Sequence, residues 1–204
     1  MSLTADVVVI GGGVNGTSTA FHLAKRGVRV TLLERSTLAG GATGKSGALV
    51  RMHYTNPYDA ALAQQSLPYF LGWSDHVGPG DPGYRQLGVV RLVQPKYDDR
   101  LRANVEMLQG VGVNTSLISP DDLRAMDPGV YTGDITCAAW EPDSGYADPA
   151  ATAYGFAEAA RGLGASVHEG VEATAIETEG DQVSGVMTPL GRIATPTVVV
   201  APGP

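Results

Sequence analysis

Residues 6–10 contain an unbroken run of β-branched side chains, the pattern of a parallel strand buried on both faces. The run leads directly into glycines. From Val14 the period changes: Val14, Thr17, Ala20, Phe21 and Ala24 lie three or four positions apart, which places them on one helical face, and Gly27 ends the helix. Residues 28–33 predict a second buried strand, so the first 34 positions form one β-α-β unit with a right-handed crossover. Met1-Ser2-Leu3 precedes the patterned sequence and is given no structural weight.

Further along, residues 38–48 hold Gly40, Gly41, Gly44 and Gly47, too many glycines for a regular element, and predict a loop. Tyr58, Leu62, Ser66, Tyr69, Trp73 and Val77 follow at helical spacing, with Pro68 expected to kink or split the helix and turn residues 78–83 closing it. Residues 87–94 read as a strand, and Leu101, Val105, Leu108 and Val111 as one face of a helix. Ser119-Pro120 and Asp148-Pro149 each look like a capped helix start, because the polar side chain caps free amides while proline takes the first turn. The inner face after Asp148 is Ala153, Ala157, Ala160 and Leu163. Short alternating segments at 166–168, 171–177 and 182–187 then precede a buried strand at 195–201.

The glycines after the first strand, Gly11, Gly13 and Gly16, satisfy the G-x-G-x-x-G spacing. The first permits the tight turn, the second lets a pyrophosphate approach the backbone, and the third lets helix pack on strand. The helix N-terminus, at Val14 and Asn15, then faces the phosphates. Glu34 ends the second strand about 20 residues beyond the motif, where a carboxylate accepts ribose hydroxyls. The pattern is that of an α/β, Rossmann-like dinucleotide-binding domain.

Composition narrows the partners. The chain of 204 residues carries a net charge of −7 and no Lys/Arg run, which argues against nucleic acid and anionic lipid. No apolar stretch near the start is long enough to span a bilayer. The single cysteine, Cys137, forms no internal disulfide and has no partner at metal-ligand spacing, so a cytoplasmic compartment is expected and a metal site is not. His22, His76 and His168 read as ordinary histidines, Asp121 with Asp122 as a helix cap, and Glu177 with Glu179 as a solvated turn.

Residues 6–16, the Glu34-Arg35 end of the second strand and residues 41–51 together resemble the D-amino-acid-oxidase superfamily, with the nearest likeness to sarcosine and dimethylglycine oxidases or dehydrogenases and to glycine oxidase. Residues 140–149, 164–165, 183–188 and 198–204 continue the resemblance along the chain. It implies FAD as cofactor, with Gly11, Gly13, Val14, Asn15, Gly16, Glu34 and Arg35 at the dinucleotide. It also implies Ala42, Thr43, Lys45, Ser46, Gly47 and Ala48 beside the pyrophosphate and flavin, Ala173 in a strand that touches adenine, and Ala201 and Gly203 at a later cofactor-facing turn. Arg51 matches a substrate-side arginine suited to a carboxylate, with Tyr54 and His53 as lesser candidates beside it; no covalent flavin link is assigned to His53, and no catalytic residue is assigned.

The implied reaction is hydride transfer from the carbon next to the nitrogen of a small amine or amino acid to FAD, giving an imine that water hydrolyses. The implied organisation is a discontinuous FAD-binding domain at 1–52 and 145–204 and part of an α+β substrate domain at 53–144. Relatives of this type are longer, so the chain is expected to be a fragment or to be completed by a second chain or self-association, to bind FAD weakly in isolation, and not to turn over sarcosine-like amines. Two rivals stay open at this point: a non-redox nucleotide-binding module, and an NAD-linked dehydrogenase, which has no need of the glycine loop at 40–47.

Overall fold

A computed structural model describes residues 3–204; Met1 and Ser2 lie outside the described residues. The chain divides into two compact units. The first comprises the described residues up to Ala48 with Trp73–Gly83 and Asp148–Pro204; the second comprises Leu49–Gly72 and Tyr84–Ala147.

In the first unit, four parallel strands run in the order Ser166–His168, Val30–Leu33, Val7–Ile10, Val198–Val200. Val8, Val9 and Leu32 are fully buried, which is why these strands are written as continuous apolar runs. The helix Val14–Ala24 connects the two central strands and packs on the helix Pro149–Gly162, with the rings of Phe21 and Phe156 5.5 Å apart. Asp148 caps the latter by accepting from the amide of Ala151 at 2.8 Å. The ring of Trp73 lies 4.8 Å from that of Phe156, which is why Trp73–Gly83 belongs to this unit although the sequence assigns it to the 53–144 region. A second sheet runs in the order Leu3–Thr4, Gly191–Ala194, Gln182–Thr188, Ala175–Glu179.

The second unit holds an antiparallel sheet with Ala138–Glu141 between Val89–Leu92 and Ser116–Ile118. Against it pack Leu101 and Val105 of the helix Asp98–Gly110, in one cluster with Cys137 and Ala139. The helix Pro57–Leu71 contributes Ala60 and Leu67 to a neighbouring cluster with Met52, Leu108 and Val113. The helix Pro120–Met126 has the capped start expected of it, as a reciprocal capping box between Ser119 and Asp122, while Asp121 pairs with Arg124.

Several details depart from the sequence pattern. The helix after Pro57 runs through Pro68 and stops before Gly72: proline removes one amide, but its carbonyl still accepts from Gly72 at 2.9 Å. Residues 171–174 form no strand, which begins only at Ala175, so Ala173 lies in an irregular segment. Glu177 and Glu179 sit in that strand and not in a turn; Glu177 pairs with Arg192 across the sheet at 2.7 Å. Leu3 and Thr4 pair in parallel with Ile193 and Ala194, giving the chain start a structural role that its lack of pattern concealed. Among the described residues no helix is long and apolar enough to cross a membrane.

Candidate cofactor site

The glycine turn after Val7–Ile10 is built around two close approaches. Gly11 has φ +111°, and a Cβ on it would lie 2.1 Å from the carbonyl oxygen of Ala201. A Cβ on Gly16 would lie 1.9 Å from the carbonyl oxygen of Gly11, so the helix rests on the strand end with no room for a side chain. Gly13 is different. Its Cβ would meet only the side chain of Thr43, at 3.0 Å from Oγ1. The first intrahelical bond is that from the Thr17 amide to the Gly13 carbonyl, leaving the amides of Asn15 and Gly16 in the first turn with its positive dipole end.

The second glycine loop closes on the first. Thr43 Oγ1 accepts from the amide of Val14 at 3.0 Å, and the amide of Ala39 donates to the carbonyl of Gly12 at 3.0 Å. Glu34 also belongs to this framework: Oε2 accepts from the Gly12 amide at 2.7 Å and Oε1 from the Ser36 amide at 2.8 Å. An ionised carboxylate offers about four acceptor positions, so two remain for other donors.

These elements enclose a cavity of about 1010 Å³. Of the residues singled out by sequence, Gly11, Gly13, Asn15, Glu34, Arg35, Ala42, Thr43, Lys45, Ala173, Ala201 and Gly203 line it. Val14, Gly16, Ser46, Gly47 and Ala48 do not: Val14 gives its amide to Thr43, Gly16 is spent on packing, and the Ser46 hydroxyl accepts from Ala48 within its own turn. The wall also includes Ile10, Leu33 and Val200, which sequence reasoning passed over. Each is the last residue of a parallel strand, and the rule that ligands bind at the carboxyl ends of such strands would have found them.

A separate cavity of about 640 Å³ lies within the second unit, lined in part by Arg51, His53 and Tyr54. The Arg51 guanidinium stands 4.6 Å over the Tyr54 ring and donates to the carbonyl of His53. Behind them is a polar chain that the sequence did not disclose. Glu141, 1% exposed, accepts from the Met52 amide and the Ser144 hydroxyl through Oε2, at 3.2 and 2.9 Å, and its Oε1 lies 3.2 Å from His53 Nδ1. Asn104 Nδ2 lies 3.1 Å from His53 Nε2. A carboxylate at the end of an otherwise apolar strand, Ala138–Glu141, was the available signal.

The cavity of the first unit suits a dinucleotide: a glycine turn open to backbone approach, a helix N-terminus for a diphosphate, and a carboxylate at the strand end for a ribose. Comparison with known proteins agrees. The chain is 29% identical to sarcosine oxidase subunit beta of Arthrobacter sp. over 204 residues, which is 96% of this chain and 50% of that protein. L-proline dehydrogenase from P. horikoshii superposes with a TM-score of 0.92 at 29% identity, over 98% of this chain and 53% of that one. L-amino acid deaminase from Proteus myxofaciens, solved with anthranilate, superposes with a TM-score of 0.91 at 32% identity, over 100% and 46% of the two chains. The chain thus spans half or less of the length of the curated relatives it matches. The family described as FAD dependent oxidoreductase (DAO) matches residues 6–204, and the chain belongs to that family.

Proposed function

We propose that this chain is the FAD-holding portion of an oxidoreductase that oxidises the C–N bond of a small amine or amino acid of the sarcosine or glycine kind. The observation that carries the reading is the cavity at the carboxyl ends of the parallel strands, where Gly11, Gly13, Thr43 and Glu34 converge. In it the diphosphate takes the first-turn amide of Asn15 beside Gly13, Glu34 receives the ribose hydroxyls, and Lys45 adds positive charge beside the loop. Bound FAD supplies the hydride acceptor. Arg51, held over Tyr54, receives a substrate carboxylate, and its contacts fix the guanidinium plane in advance, so little side-chain freedom is lost on binding. The activities for which these relatives are named, on sarcosine, L-proline and L-amino acids, support a substrate with an amine next to a carboxylate.

In one of the second unit's two three-stranded sheets, the outer strands Val89–Leu92 and Ser116–Ile118 each pair on one side only among the described residues. We propose that further polypeptide, from the same or another chain, pairs along them, since open edges recruit strands. The chain alone is expected to bind FAD weakly and to leave such amines untouched, so the test of the whole reading is made anaerobically on the chain joined to the polypeptide that completes it: FAD-loaded, it loses its oxidised flavin absorbance when mixed with sarcosine, glycine or proline. Flavin that binds and is bleached by none of the three contradicts it.

A further inference from the structure

The cavity of the second unit gathers charge that the linear sequence keeps apart. Arg51, Arg91 and Arg100 all line it, on separate elements: the segment before the helix Pro57–Leu71, the strand Val89–Leu92 and the helix Asp98–Gly110. Among the described residues none of the three is ion-paired. The chain has 21 acidic residues against 14 basic ones, yet no Asp or Glu lines this cavity. Two aromatic rings brace the cations: Arg51 stands over Tyr54 at 4.6 Å, and Arg100 lies 5.7 Å from Tyr97, whose ring also carries the Lys96 ammonium at 5.0 Å. Asn104 adds a neutral polar group.

Like charges on one wall repel, and in an acidic protein nothing in the composition requires them to meet there. One carboxylate satisfies one guanidinium bidentately. Three arginines therefore exceed what a single carboxylate uses, and a volume of about 640 Å³ exceeds what sarcosine fills. From this we infer that the cavity binds a small molecule carrying two carboxylates, one at Arg51 and the second at Arg91 and Arg100. The inference deepens the function proposed above and rests on it for the identity of the ligand as substrate: an amino acid whose nitrogen substituent or side chain bears its own carboxylate.

Iminodiacetate and sarcosine form the decisive pair, because the former is sarcosine with one added carboxylate. Calorimetric titration of the 204-residue chain is expected to show iminodiacetate binding at least tenfold more tightly than sarcosine, with the difference shrinking as salt is raised. The double variant Arg91→Ala, Arg100→Ala is expected to remove that tenfold preference. Equal affinity for the two compounds in the unaltered chain overturns the inference, as does a preference that survives the double variant, or displacement of iminodiacetate by an equal concentration of inorganic phosphate. The comparison within the unaltered chain stands even if the variant does not fold. A parallel FAD titration separates the two readings: a chain that prefers iminodiacetate and ignores FAD refutes the flavin assignment and keeps the dicarboxylate site, and the reverse result does the opposite.

Discussion

The carboxylate of Glu34 accepts a hydrogen bond from the amide of Gly12 at 2.7 Å, so the residue proposed to receive the ribose also braces the glycine turn proposed to seat the diphosphate. Glu34→Gln keeps an acceptor oxygen for the turn and loses the charge. It is expected to weaken FAD binding about tenfold, equivalent to about 1.4 kcal/mol, with a smaller change in melting temperature. Glu34→Ala leaves the Gly12 and Ser36 amides without their partner and should lower both. Flavin titration and thermal denaturation of the two variants separate the roles.

Gly11 and Gly13 answer to different constraints. Gly11→Ala sets a methyl 2.1 Å from the Ala201 carbonyl oxygen at a φ of +111°, so the fold itself must shift. A loss of about 1–3 kcal/mol is expected from the backbone alone, with the clash added to it. Gly13→Ala meets only Thr43 and should leave stability within about 1 kcal/mol, while FAD affinity falls because the methyl occupies the cavity wall. Similar melting temperatures for the two variants would contradict this division.

The nucleotide half was legible in the chain because its signals are local: a strand of consecutive β-branched residues, three glycines at fixed spacing, an acidic residue at the next strand end. The structure assembles these around one cavity. What the sequence withheld is non-local. Arg51, Arg91 and Arg100 show no cluster in linear order and meet only through the tertiary fold, and Glu141 looks like any surface carboxylate until its strand is found in the middle of a sheet. Register misled as well. Val171 and Ala173 belong to an apolar cluster without belonging to a strand, so their alternation imitated one.

Glu141 is a buried carboxylate with three partners, Met52, Ser144 and His53. Glu141→Ala strands those groups and is expected to cost about 2–4 kcal/mol in chemical denaturation. Glu141→Gln keeps an acceptor and should cost less. Because the carbonyl of His53 accepts from Arg51, loosening His53 should also weaken binding of carboxylate ligands while leaving FAD affinity unchanged.

His22 packs against Phe21 at 5.0 Å, and burial, followed by the nearby Arg26 and Lys25 charges, holds its imidazole below the usual value of 6.5. The unfolded chain therefore takes up the proton first as pH falls. Stability from this group is complete above 6.5 and declines as pH drops from there toward the lowered folded value. His22→Gln should flatten that decline in melting temperatures measured across the window; an unchanged slope would refute the assignment.

Whether the first unit seats FAD is read from the visible absorption spectrum of the purified chain titrated with FAD. A saturable one-to-one perturbation of the flavin bands is expected, weakened by Gly13→Ala and by Glu34→Gln. A folded chain that leaves the spectrum of free FAD unchanged at every concentration contradicts it.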